Sequence, residues 1–166
     1  MYTETTEKTL LVKIETNQGD MVVELDDKSA PITVRNFQNL VADKFYDGLI
    51  FHRVIKGFMI QGGDPMGTGM GGSKETIKGE FAANGVNNPI RHARGVISMA
   101  RSMMYNSASS QFFICHADAY FLDGQYAAFG KVIEGIDTID KIASVKTGRN
   151  DRPLQEQIIN RIYFVK

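Results

Sequence analysis

Apolar and polar positions alternate over residues 10–25, and the period changes straight afterwards. Leu10, Val12 and Ile14 alternate with Lys13 and Glu15, and Met21, Val23 and Leu25 resume the pattern beyond Asn17-Gln18-Gly19-Asp20. This predicts a β-hairpin. From Pro31 the spacing becomes helical: Phe37, Leu40, Val41 and Phe45 share a face, Ser29 is placed to cap the start, and Asp47-Gly48 ends the run. Strand patterns return at 50–55 and 58–62 across Lys56-Gly57, then at 95–100, 111–116, 127–133 and 157–164, the last alternating through Ile158, Ile162 and Phe164. A second helix is predicted over 134–143, where Ile136, Ile139 and Ile142 form a stripe and Asp137 stands four residues before Lys141. Residues 64–94 follow neither period. So long an irregular stretch in one domain is more often functional than idle.

About eight strands and two helices result, not interleaved strand by strand. That order argues for an antiparallel sheet or barrel with the helices outside it. Closing the barrel would remove unpaired edges, although closure itself cannot be read from these residues. A chain of 166 residues suits one domain with a real core, here residues 1–166 with a flexible N-terminal extension over 1–9.

Lys plus Arg and Asp plus Glu number 19 each, so no bulk field favours nucleic acid or an anionic membrane. No apolar run approaches the roughly 20 residues of a membrane span, and the polar MYTETTEKT start lacks the apolar centre of a secretory signal. Cys115 is the sole cysteine, which rules out an internal disulfide. These features together lead us to expect a soluble protein of the cytoplasm.

Conventional catalytic machinery is absent from the pattern. Gly67, Gly69 and Gly72 spell G-x-G-x-x-G, but SKETIKGEF behind them is too short and too soon broken by Gly79 to supply the helix a dinucleotide site needs. His52, His92 and His116 form no metal-type spacing with other ligands, so no metal or cofactor is expected. Cys115, inside FFIC, reads as a small buried apolar residue, and Asp64 and Glu80 read as turn caps.

What stands out is Arg53 within FHRVIKGFMIQGG, a cation in an apolar wall, which is costly unless used. Gln61 lies across the same hairpin with Met59 on its face, and Gln111-Phe112-Phe113 and Phe121-Leu122-Asp123-Gly124 follow. On periodicity alone the set reads as core packing, with Arg53 snorkelling to the surface.

These segments resemble the cyclophilin family of peptidyl-prolyl isomerases. The resemblance rests on FHRVIKGFMIQGGDP (51–65), GVISMAR (95–101), SSQFFICHAD (109–118) and FLDGQYAAFGKVIEG (121–135), with the opening hairpin and APITVRNF also fitting. It implies a mainly β fold, a closed eight-stranded antiparallel barrel capped by two α-helices, with an active site on the outer surface. It implies rotation about X–Pro bonds in proteins, assisting folding, with proline-containing polypeptides as partners; nothing in the chain itself demands a cofactor or more than a monomer. By that resemblance Arg53 is the catalytic arginine, acting with Gln61 and Phe113. Phe58, Met59 and Leu122 join Phe113 in the proline pocket, and Ala100, Arg101, Gln111, Phe121 and Tyr126 extend the groove.

Strict alternation would instead put Phe58 and Met59 on opposite faces. Three positions depart from the family's commoner residues: Tyr126 stands where histidine is frequent, Lys56 where proline is frequent, and Phe121 where many cyclosporin-sensitive members carry tryptophan. Weakened cyclosporin binding is expected from the last. The alternative function is a proline-peptide-binding chaperone with little turnover.

Overall fold

The computed structural model describes residues 1–166. Eight strands occur in chain order: β1 (Leu11–Thr16), β2 (Gly19–Leu25), β3 (Arg53–Ile55), β4 (Met59–Gly62), β5 (Val96–Met99), β6 (Phe112–Cys115), β7 (Ala128–Glu134) and β8 (Ile159–Phe164). They form one antiparallel sheet in the order β3-β4-β6-β5-β7-β2-β1-β8. The sheet curls until its edges meet. Ahead of β3 and β8, Ile50 bridges Ile158, the Phe51 amide donates to Gln157, and the Ile159 amide donates to Leu49. The seam is therefore hydrogen-bonded rather than left as an open edge. Helix α1 (Pro31–Ala42) packs on β8, and α2 (Ile136–Ala143) packs on β2, β3 and β4. No helix is long and apolar enough to cross a membrane.

Alternation along the strands creates two apolar clusters. The larger comprises 28 buried residues and fills the interior, taking Val54, Ile60, Phe112 and Ile114 from β3, β4 and β6 and Phe37 and Ile139 from the two helices. The smaller is Met59, Phe113, Cys115, Ala119 and Leu122. Its strand residues alternate with interior ones, so it lies on the outer face of the same strands.

Several local expectations are corrected. The β1–β2 connection is only Asn17-Gln18, because Thr16 already pairs with Gly19. Helix α1 ends at Ala42, and Lys44 takes a positive φ of 58°, so Phe45 lies beyond the helix. Ser29 does not cap α1. Its hydroxyl bonds Asp26, and the capping oxygens come from Glu80, which accepts from the Ile32 and Thr33 amides at 3.2 and 2.7 Å and from the Thr33 hydroxyl at 2.6 Å. In β8 the buried residue is Ile159 rather than Ile158, since a bulge opposite Glu15 and Thr16 shifts the phase around Asn160. The expected flexible extension is tied down: the Thr3 and Thr5 amides donate to Lys166 and Phe164, and Glu4 bridges Val165.

Residues 64–94 have few regular elements but are organised by side chains. Asp64, 1% exposed, accepts from the backbone amides of Met66, Thr68, Gly69 and Gly71. The amides a phosphate would need are thus already bonded to a carboxylate of the chain itself, and no helix follows. That disposes of the dinucleotide reading of the glycine pattern on structural grounds.

Candidate functional site

Arg53 opens β3 directly opposite Gln61 on β4, and Gln61 in turn stands opposite Phe113 on β6. Side chains at paired positions share a face, so the arginine, the amide and the aromatic ring all project from the outer surface. Val54, next to Arg53, points into the interior. This resolves the oddity of a cation in an apolar run: the strand is amphipathic across the sheet, and the charge belongs to its solvent side.

A hydrogen-bonded row fixes the polar half of the site. Arg53 Nη1 donates to Gln61 Oε1 at 3.2 Å, Gln61 Nε2 donates to Gln111 Oε1 at 2.9 Å, and Gln111 Nε2 donates to the carbonyls of Gly69 and Gly71 at 3.0 and 2.8 Å. Main-chain carbonyls can only accept, so they orient the Gln111 amide, which then orients Gln61 with its oxygen toward Arg53. Arg53 enters no ion pair and keeps four of its five N–H donors free of protein partners.

The apolar half adjoins it. Arg53 and Gln61 border a cavity of about 330 Å³ whose walls are Phe58, Met59, Phe113, Leu122, Phe121 and Tyr126, with Ala100 and Arg101 along one side. Phe58 reaches it from the turn before β4, where Gly57 adopts a φ of +82° and the chain is not extended. Strict alternation does not apply there, which is why Phe58 and Met59 line the same cavity. Phe121, 74% exposed, packs on Phe58 with ring centroids 5.6 Å apart. Gln111 is outside this cavity but bonded to Gln61. The ten other residues named from the resemblance all line it.

Arg101 joins two loops. Its Nε and Nη2 donate to the Gln125 carbonyl, and its guanidinium lies 4.6 Å from the Tyr126 ring centre and about as close to those of Phe81 and Tyr105. Its own main-chain N–H and C=O have no partner within the protein.

One element escaped the sequence reading. The His92 ring lies parallel behind Phe113, with centroids 6.0 Å apart. Its Nδ1 is 2.9 Å from Asp123 Oδ1 and its Nε2 is 2.9 Å from Ser98 Oγ. A carboxylate can only accept, so Nδ1 carries the proton, and Nε2 accepts from the serine. Burial lowers the His92 pKa, with Asp123 opposing, so the imidazole backing the aromatic wall is neutral near pH 7. Asp123 also accepts from the His92 amide and Arg91. Partners 31 residues apart leave no local signal in a sequence.

The other candidates are structural. Burial pushes the Cys115 thiol up to about 12, with Asp123 and Asp118 adding to it, so it stays a thiol and is no nucleophile. His116 lies between the Gly57 amide and Asp140.

Set beside known proteins, the chain matches the family model "Cyclophilin type peptidyl-prolyl cis-trans isomerase/CLD" over residues 11–164. The Arabidopsis thaliana peptidyl-prolyl cis-trans isomerase CYP18-1 is 46% identical over 152 residues, covering 91% of this chain and 93% of that protein. A Helicobacter pylori peptidyl-prolyl cis-trans isomerase is 47% identical over 137 residues, 81% of each. Among solved structures, a Cryptosporidium parvum cyclophilin-type isomerase crystallised in the presence of the dipeptide Ala-Pro superposes with a TM-score of 0.86 at 36% identity, covering 93% of this chain and 98% of that one.

Proposed function

The chain belongs to the cyclophilin-type peptidyl-prolyl cis-trans isomerases, and on that premise we propose that its outer-face cavity is the catalytic site, with Arg53 as the catalytic residue. The protein is an isomerase of X–Pro peptide bonds.

Rotation about an X–Pro bond breaks no bond. It removes amide resonance, against a barrier of roughly 18–20 kcal/mol, and unaided takes tens to hundreds of seconds. At the twisted geometry the proline nitrogen regains a lone pair and accepts a hydrogen bond that the planar amide cannot. A donor placed there favours the transition state over both ground states, as catalysis requires. Arg53 is such a donor: always protonated, held by Gln61, and otherwise uncommitted. The free cation at the edge of an apolar cavity of about 330 Å³ is the observation that carries the proposal.

Phe113, Met59 and Leu122 take the proline ring and exclude water from the amide, which strengthens the arginine's effect. Phe58 and Phe121 close the rim, and Ala100 and Tyr126 line the side along which the peptide extends. The second N–H of Gln61 and the unpaired main-chain groups of Arg101 suit the backbone of an extended peptide. Gln111 acts through Gln61. Binding of proline-containing polypeptides follows from this arrangement and is supported by the relative crystallised with Ala-Pro. Phe121 lacks an indole N–H, so cyclosporin should lose one hydrogen bond here. A single, fully buried thiol fits a reducing compartment such as the cytoplasm.

A charge-assisted hydrogen bond contributes about 1.5–3 kcal/mol, or roughly one to two powers of ten in rate. Arg53→Ala should therefore lower kcat about 10- to 100-fold while retaining much of the peptide affinity. Exchange NMR on a proline peptide, with catalytic amounts of protein, reads both quantities. A variant that turns over at the native rate would refute the role given to Arg53. Exchange that stays unaccelerated by the native protein would instead favour the binding-module alternative.

A further inference from the structure

Arg53 and Gln61 also line a second cavity, of about 510 Å³, that contains no apolar side chain. Beyond those two residues its walls are His52, Thr68, Gly69 and the segment Arg149–Arg152. We propose that this cavity is an anion-recognising subsite of the isomerase, taking a carboxylate or phosphate carried by the substrate within a few residues of the proline. The proposal rests on the reading of the adjoining pocket as the catalytic site.

Three arginines, Arg53, Arg149 and Arg152, line this space with a single acidic residue, Asp151. Basic and acidic residues balance over the whole chain, so the local cationic excess is not a share of a bulk charge. None of the three arginines enters an ion pair, whereas Arg91, Arg94 and Arg161 elsewhere all do. Arg152 gives one donor to the Gly67 carbonyl, Arg53 gives one to Gln61, and the Arg149 side chain gives none. Most of their N–H groups remain available in the fork geometry that matches carboxylate and phosphate oxygens.

His52 completes the polar wall. It is 94% buried by its 6% exposure, it lines this cavity, and its Nδ1 is the one buried side-chain nitrogen or oxygen in the molecule without a hydrogen-bond partner. That nitrogen is sealed from solvent, so His52 shapes the wall of the cavity and is not itself a contact for the anion.

A divalent cation does not suit one carboxylate among three arginines. Continuity decides for a peptide group: the two cavities share Arg53 and Gln61, and an extended chain advances only about 3.3 Å per residue. A side chain close to the proline therefore reaches the arginines without the peptide leaving the groove.

The test uses proline peptides carrying Glu or Gln, and phosphoserine or serine, at each of the three positions before and after the proline. Turnover is measured by exchange NMR and affinity by chemical-shift titration, for the native protein and for Arg149→Gln. That side chain is exposed and bonds nothing within the protein, so the variant should fold. At one position or more, the anionic peptide should be favoured about five- to tenfold at low salt, less as salt rises. In Arg149→Gln the preference should fall to about twofold or less. Glu and phosphoserine arms that both respond identify a general anion site, and a response to phosphoserine alone identifies a phosphate site.

No anionic preference at any position would overturn the subsite, as would a preference left intact in Arg149→Gln. If neutral peptides bind without being turned over, the catalytic reading fails separately, and the affinities still judge the subsite.

Discussion

At the scale of single residues, the site depends on one cation whose direction is set by neighbours rather than by its own strand. Arg53 is aimed by Gln61, which is aimed by Gln111, which is anchored on the carbonyls of Gly69 and Gly71. The irregular stretch after β4 thus ends up orienting the proposed catalytic donor through two amides. Phe121 is the residue where a departure from the family pattern should have the clearest effect. Its ring is exposed at the rim and supplies no donor, so Phe121→Trp should tighten cyclosporin binding on the order of tenfold, the value of one hydrogen bond. Titration of the two proteins side by side measures this, and equal affinities would show that the indole N–H is not what matters. Arg53 was conspicuous in the sequence because a charge in an apolar run needs a reason. His92 was not, since its role depends on Phe113, Ser98 and Asp123 arriving from three other segments.

At the scale of elements, strands were legible and their ends were not. Strand patterns located all eight, by alternation in the opening hairpin and by short apolar runs such as those of β5 and β6, which are buried throughout. The phase of β8 differs by one residue from its own pattern, because the bulge is set by the partner strand and leaves no mark in that pattern. Helix α1 is legible at its Pro31 start but not at its cap or at its end, which falls at Ala42 ahead of Phe45. Ser29 has the right chemistry, but Asp26 holds its hydroxyl, and Glu80 arrives from 47 residues away to bond the Thr33 amide and hydroxyl. Glu80 is 3% exposed, so removing it leaves buried donors unpaired. Glu80→Ala should cost about 2–3 kcal/mol and lower Tm by roughly 4–12 °C, with Glu80→Gln less harmful because it keeps an acceptor. Thermal unfolding followed by circular dichroism measures both, and an unchanged Tm in the alanine variant would mean that α1 does not need this cap.

At the scale of the whole molecule, pH separates the folded from the unfolded chain in two steps. Burial lowers the pKa of His52, opposed by Asp64 and reinforced by Arg152 and Arg53, and burial likewise lowers that of His92. Unfolded imidazoles take protons near their ordinary 6.5, while the folded ones resist. The unfolded state then binds more protons, so stability is full above about 6.5 and declines as pH falls below it. Carboxylates follow: hydrogen bonding from Arg94 holds Asp140 down to about 2, so its contribution, present above 3.8, is lost as pH falls toward that value. Urea unfolding should accordingly give a lower midpoint at about pH 5.5 than at about pH 7.5, and identical midpoints would mean that the two histidines are not held neutral by the fold. Neither step was visible in the sequence, which places His52 beside an arginine without showing that both histidines are enclosed. The groove itself was legible only through the family resemblance, because the residues around it come from stretches as far apart as Arg53 and Tyr126.

The two apolar clusters occupy opposite faces of shared strands, with Ile60 and Ile114 inward and Met59 and Phe113 outward. Exchanging rim residues such as Phe58, Phe121 and Tyr126 leaves the inward packing untouched, so client preference can drift under selection at little risk to foldability. A randomised library confined to those three positions is therefore a practical route to isomerases with altered peptide preference.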